Sequence, residues 1–149
     1  MVSPHQPALA SAPAALPLAE QLGDELTLTA ATLHAALRRA IARRGEDGPN
    51  AISQQQVQAI FALEVALRQQ ANTLYADVAG DLLAAIAKTL PQSQLQLLLQ
   101  AVRTRMERHD DARGWISVAT GVLNLGSAVL SGNPERILTQ LARLRERLP

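Results

Sequence analysis

The stretch that decides the fold is GWISVATGVLNLGSAVLSGNPERI, from Gly114 to Ile137. No charged residue lies between Arg113 and Glu135, so the stretch is a membrane span, a buried helix or a contact surface. As a helix, residues 115–131 would extend about 25 Å. A bilayer core is about 30 Å thick and usually needs about 20 apolar residues. Because serine, threonine and asparagine interrupt the stretch, it is short and polar for a simple span.

The periodicity of the stretch predicts a helix with two different faces. At about 100° per residue, apolar side chains from Trp115 to Leu130 occupy a broad face, and small or polar side chains share an arc of about 120°. The small face consists of Ser117, Thr120, Gly121, Asn124, Ser127, Ala128 and Ser131. Small residues let another helix approach closely, and the hydroxyls can bond to carbonyls of their own helix. We therefore expect the central helix of a bundle, and we keep a contact surface and a membrane-inserting helix as alternatives.

The helix after this stretch has a clear start. Asn133 is a good N-cap, Pro134 suits the first helical position, and Glu135 suits the first turn. A narrow apolar stripe on this helix predicts docking along one seam. The residues that we predict to contact a protein partner or a second copy are Ser117, Thr120, Gly121, Asn124, Ile137, Leu141 and Leu144.

The rest of the chain also predicts helices. Of its 149 residues, 48% are apolar, almost all of them Ala, Leu, Val and Ile, and Phe, Tyr and Trp occur once each. This composition favours helix over sheet. The predicted fold is all-α: a four- to five-helix bundle forming one domain over residues 23–149, with a disordered Ala/Pro-rich tail over residues 1–22.

Capping residues and breakers predict the helix limits. The first helix should run from about Asp24 to Arg44, and its stripe contains Leu26, Ala30, Leu33, Leu37 and Ile41. Ser53 and Gln56 have the spacing of a capping box, which predicts the next helix start. Its stripe includes Ile60, Phe61, Leu67, Leu74 and Tyr75, and residues 53–90 form one helix or two that meet at Gly80. A further helix should begin at Pro91, end near Asp110 and break at Gly114.

The first 20 residues predict no secretory signal peptide. Four prolines interrupt them, and the first charged residue is Glu20, so a basic leader is missing. We expect a cytoplasmic protein, with secretion without a cleaved signal, as in bacterial type III systems, as the alternative. The only lysine is Lys88, which indicates a GC-rich genome, as in many bacteria, rather than any chemistry.

Motifs for catalysis and cofactor binding are missing from the sequence. The chain has no cysteine and no phosphate-binding loop, nucleophile elbow or zinc-protease motif. His34 beside the first stripe and His109 in a charged helix end are interpreted as surface histidines. We predict no catalytic residue, no metal site and no cofactor.

The charge balance argues against nucleic acid as the main partner. The net charge is +1, and an arginine cluster at the end of the first helix has no interleaved aromatic residue. Its members, Arg38, Arg39, Arg43 and Arg44, are our candidates for anion contact. We predict a non-enzymatic interaction protein: an adaptor, a chaperone-like subunit or a secretion accessory factor. The alternatives are a membrane-active protein that inserts residues 115–131, and weak nucleic-acid binding through the arginine cluster.

Overall fold

The protein is an all-α helix bundle, as the composition predicts. A computed structural model describes residues 15–76 and 92–148, and within these ranges five helices pack together without a β-strand. The helices are α1 (Ala15–Ala42), α2 (Gln54–Ala76), α3 (Gln92–Arg108), α4 (Ala112–Ser131) and α5 (Pro134–Glu146). A short 3-10 helix, Gly48–Asn50, lies between α1 and α2. Whether residues 53–90 form one helix or two lies outside the described residues.

The first helix begins earlier than predicted. α1 starts at Ala15 rather than Asp24, so residues 15–22 are helical and do not belong to a disordered tail. Leu22 is buried in the core. Pro17 is compatible with this start, because the first N–H groups of a helix have no acceptor within it. The part of the predicted tail before Ala15 lies outside the described residues.

Local capping signals are confirmed at two helix starts. The Ser53 N–H donates to Oε1 of Gln56, and the Gln56 N–H donates to Oγ of Ser53, each over 3.1 Å. The Asn133 side chain accepts hydrogen bonds from the first-turn N–H groups of Glu135 and Arg136. Gly132, with φ of 73°, ends α4 in the left-handed conformation that glycine adopts without strain.

The break between α3 and α4 lies before Gly114, not at it. α3 ends at Arg108 and α4 already begins at Ala112, so Gly114 lies inside the first turns of α4. The missing side chain makes room for Arg105, because a Cβ at Gly114 would lie 2.5 Å from its guanidinium nitrogens. Trp115 fixes this corner by donating from Nε1 to the His109 carbonyl over 2.7 Å.

α4 is the central helix of the bundle. It contacts each of the other four helices, whereas α1 packs mainly against α2 and α3, and α5 packs along α4. Trp115 and Val122 of α4 are fully buried, together with leucines from α1, α2 and α3. This burial agrees with the prediction of a central helix, and it accounts for the broad apolar face.

Buried polar side chains also link the helices. Glu25 of α1, which is 6% exposed, forms an ion pair with Arg103 of α3. Gln70 of α2 donates from Nε2 to the Leu123 carbonyl of α4 over 3.1 Å and to the Ser127 hydroxyl over 3.2 Å. These contacts fix how α1 packs on α3 and how α2 packs on α4.

Candidate interaction surfaces

The small face of α4 is only partly buried. Gly121 is buried, Ser117 and Thr120 are half-buried, and Asn124 is exposed. Thr120 donates from Oγ1 to the Ile116 carbonyl over 2.7 Å, the local bond that the sequence predicts. The bundle therefore covers the small face at Gly121 but not at Asn124, because no other described helix covers that side chain.

The small residues of α4 accommodate neighbours from the same chain. A Cβ at Gly121 would lie 2.9 Å from Cδ1 of Leu144 in α5, and a Cβ at Gly126 would overlap the Gln70 amide of α2. Arg147, just after α5, donates from Nη1 to the Ser117 carbonyl over 2.7 Å. The close approach that small residues permit is thus used within the chain.

The apolar stripe of α5 is also used within the chain. Ile137, Leu141 and Leu144 are all buried, and α5 packs along α4. The apolar surface of these three predicted contact residues is therefore already covered by the chain's own core. The prediction of docking along one seam correctly describes α5, but the docking surface is α4.

The arginine cluster does not converge on one site. Arg39 donates to the Met106 carbonyl near the end of α3 over 3.2 Å. Arg43 pairs with Asp110 over 2.7 Å, and this hydrogen bond raises the pKa of the Arg43 guanidinium. Arg38 and Arg44 are exposed. Arg39 and Arg43, two of the four residues predicted to contact an anion, therefore bind groups at the C-terminal end of α3 and just after it.

His34 lies at the surface beside the α1 stripe, as predicted. Its Nδ1 lies 2.9 Å from Oε1 of Glu64, and Arg68 donates from Nε to Oε2 of the same carboxylate over 3.2 Å. The cluster joins α1 to α2 at the surface. Within residues 15–76 and 92–148, no group of three or more His, Asp or Glu side chains could hold a metal ion.

The exposed apolar side chains concentrate on α1 and α2. Along α2, five surface positions follow a 4-3-4-3 spacing, which places them on one side of the helix: Phe61, Val65, Arg68, Asn72 and Tyr75. Phe61 is 58% exposed and Tyr75 is 46% exposed, although the sequence predicts both in a buried stripe. The apolar side chains of α2 occupy a broad arc of the helix, and the neighbouring helices cover only the side of that arc that contains Ile60 and Leu67.

α1 has a matching exposed row of residues. The row has the same spacing and consists of Asp24, Leu28, Ala31, Ala35 and Arg38, all of them exposed. We call the two rows on α1 and α2 together the outer face. Sequence reasoning missed this face, although the 4-3 spacing of both rows is a signal that it could have used.

Tyr75 joins the two rows of the outer face. Its ring lies across Gly23, where a Cβ would lie 2.6 Å from the ring, and its hydroxyl donates to Oδ1 of Asp24 over 2.5 Å. Partial burial and the hydrogen bond to Asp24 raise the pKa of Tyr75 above its ordinary value. The two rows therefore meet, and the outer face is one continuous surface.

Of the helices described, α4 alone is long and apolar enough to cross a membrane. Within its most apolar part, 56% of the residues are buried inside the bundle. The central helix of a bundle has the same length and composition, so this feature does not distinguish a membrane-active protein from a compact bundle.

Comparisons with known proteins do not assign this chain to a family. No protein-family model matches it, and the searches of curated proteins and of solved structures found no match.

Proposed function

We propose that this protein is a non-enzymatic interaction protein that binds a second copy of itself through the outer face. The observation that carries the proposal is the exposure of Phe61 in a surface that also holds Leu28, Val65 and Tyr75. Apolar surface of this kind is typical of protein contact sites, and aromatic residues are enriched in their centres. A dimer formed this way would serve the adaptor or chaperone-like role that the sequence predicts.

The charges of the α1 row favour a second copy over an unlike partner, and Arg68, the charged residue of the α2 row, is paired with Glu64 of its own chain. Asp24 and Arg38 lie at opposite ends of the α1 row, with Ala31 midway between them. In a twofold dimer with antiparallel α1 helices centred on Ala31, each Asp24 faces Arg38 of the second copy. The two opposite charges then form two identical ion pairs, as the symmetry of an isologous interface requires.

The α2 row fits the same twofold axis. α1 and α2 are antiparallel, and two contacts between them, His34 with Glu64 and Gly23 with Tyr75, set their register. In this register Ala31 of α1 lies beside residues 67–68 of α2. Positions 67–68 are also midway between Phe61 and Tyr75, so one axis brings Phe61 of each copy to Tyr75 of the other. Aromatic pairs stabilise by about 0.5–1.5 kcal/mol beyond their buried area.

The experiment that tests this proposal is a mass measurement over a range of concentrations. Sedimentation of the full chain should show a shift from the monomer mass of 15.9 kDa to twice that value across the micromolar range. Phe61→Glu should keep the helical spectrum and remain a monomer, because it places a carboxylate in the aromatic contact. Leu97→Glu, at an exposed leucine of α3 outside the outer face, is the matched control and should still form the dimer.

Charge reversal tests the orientation of the two copies. Asp24→Lys alone and Arg38→Glu alone should each weaken the dimer by about tenfold, because two like-charged contacts replace two ion pairs. An equimolar mixture of the two variants should recover the dimer, since both contacts are then of opposite charge. A wild-type protein that stays monomeric throughout the range contradicts self-association, and a mixture that does not recover contradicts the antiparallel arrangement.

Membrane insertion and nucleic-acid binding have less support. The apolar face of α4 is covered by other helices, and Arg39 and Arg43 are held at the end of the α3 segment. Both remain predictions from sequence, and vesicle flotation and a salt-dependent oligonucleotide titration would test them.

A further inference from the structure

A second surface, distinct from the outer face, lies between α3 and the C-terminal end of the described chain. Two open cavities of about 460 and 310 Å³ adjoin there and share Leu97 of α3 as a wall. We call the surface formed by both cavities the groove. The lining that matters here is Leu97, Leu98 and Ala101 on the floor and Arg105, Arg108 and Arg145 on the walls.

The floor of the groove is apolar. Leu97 is 66% exposed, the largest exposure among the large apolar side chains described, and Ala101 is exposed one helical turn further along α3. Leu98 and Leu148 complete the floor from α3 and from the segment after α5. The α3 residues that line the groove span 94–108, which is about 21 Å of helix. This length matches a docked helix of about 14 residues.

The walls of the groove carry positive charge. Arg105, Arg108 and Arg145 line it, and its lining in the described part of the chain includes no acidic residue. Arg105 is the least accessible of the three: its guanidinium lies over Gly114, its Nη1 is buried, and its nearest carboxylate is that of Asp111 at 3.8 Å. Arg108 and Arg145 are exposed and provide the accessible charges. The α1 row of the outer face differs, because it carries one negative and one positive charge, those of Asp24 and Arg38.

We propose that the groove binds an amphipathic helix of a partner protein that carries a row of leucine-like side chains flanked by acidic residues. The apolar row would lie over Leu97 and Ala101, and the flanking carboxylates would pair with Arg108 and Arg145. Helix-in-groove recognition of this kind takes its anchors from residues spaced three and four apart. The groove lining includes no Phe, Tyr or Trp, and its floor is formed by leucine and alanine, so it favours an apolar helix over single-stranded nucleic acid.

This inference does not depend on self-association, since a monomer has the same groove. As a probe we suggest a fluorescent synthetic helix of about 18 residues, roughly 27 Å long, with leucines at its heptad core positions and glutamates beside them. Its twin carries lysine at every glutamate position. The full-length protein should bind the acidic peptide at least about tenfold more tightly than the twin, and added salt should weaken that binding.

Variants of the protein locate the bound peptide. Leu97→Glu and Arg108→Glu should each weaken binding of the acidic peptide by about tenfold or more, since one removes an apolar anchor and the other reverses a wall charge. Phe61→Glu is the matched control on the outer face and should bind as the wild-type protein does. The Leu97 and Arg108 side chains are both exposed, and circular dichroism should confirm that the variants fold.

Three results would overturn the inference. The first is equal binding of the two peptides, and the second is binding that survives both groove substitutions. The third is an oligonucleotide of mixed sequence that binds in an Arg108-dependent way while the acidic peptide does not, which would make the groove a nucleic-acid site. Because dimer mass is measured separately on the same variants, a failure here leaves the proposed self-association untouched.

Discussion

α4 and α2 present their apolar side chains in opposite ways. α4 is the most apolar stretch of the sequence, and the structure buries most of its large side chains, including Trp115, against four neighbouring helices. α2 is more polar, yet it exposes Phe61 and Tyr75 to solvent. The apolar content of α4 is thus explained by the core, whereas that of α2 is not. The comparison shows that a partner surface is indicated by apolar residues that the fold leaves uncovered, rather than by the most apolar segment.

The largest effect should come from a charge inside α4. Val122→Asp should destabilise the protein by more than about 4 kcal/mol, because Val122 is fully buried and the new carboxylate would have no partner. Denaturant unfolding monitored by circular dichroism measures the loss. The matched change on α2, Val65→Asp, lies on the outer face and should cost far less. If both changes cost the same, the distinction between the two helices is wrong.

A smaller effect is expected where α2 and α4 meet. Gly126→Ala should cost about 1–3 kcal/mol, because the new methyl group would overlap the buried Gln70 amide. In a Gln70→Ala background that clash is gone, and the same change should be neutral or stabilise by up to about 1 kcal/mol through helix propensity. A double-mutant cycle on urea unfolding measures this coupling. Additive effects would mean that the two residues do not touch.

The same comparison shows what the sequence could predict. The starts of α2 and α5 are correct, because Ser53 with Gln56 and Asn133 with Pro134 are local signals that need no tertiary contact. The predicted start of α1 is wrong, because an Ala/Pro-rich composition indicates a disordered tail although Pro17 falls where a first turn tolerates it.

The contact surfaces were harder to predict for a physical reason. A stripe such as that of Leu141 and Leu144 has the same periodicity whether its docking partner is the same chain or another one. The exposed position of Phe61 depends on how far the neighbouring helices extend over α2, which the periodicity of α2 alone does not contain. The predicted candidates on α4 and α5 therefore lie mostly in the core, and the outer face follows only from the packing.

Tyr75 provides a smaller and more local test of the outer face. Its folded-state pKa is raised, so neutral tyrosine is favoured in the folded protein. The resulting stability is present below the unfolded pKa of about 10 and is lost as pH rises through the folded value. Because the chain has one tyrosine, absorbance titration reports this group directly. Asp24→Asn should lower the pKa of Tyr75, and an unchanged titration would mean that the hydroxyl does not contact Asp24.

The smallest effect is expected on the exposed edge of α4 itself. Asn124→Lys should change the free energy of unfolding by less than about 0.5 kcal/mol, because Asn124 is exposed although it belongs to the small face. Ala128→Lys, one turn along the same face, should be strongly destabilising because Ala128 is buried. Thermal unfolding of the two variants compares the positions directly.

Asn124→Lys also tests whether α4 contributes to assembly. In the proposed dimer the contacts are made by α1 and α2, so a lysine at this position should leave both the melting temperature and the dimer mass unchanged. A variant that folds normally but loses the dimer would move the contact from the outer face to the small face of α4. In that case the uncharged stretch would be the interface itself, and the exposed Phe61 would need another partner.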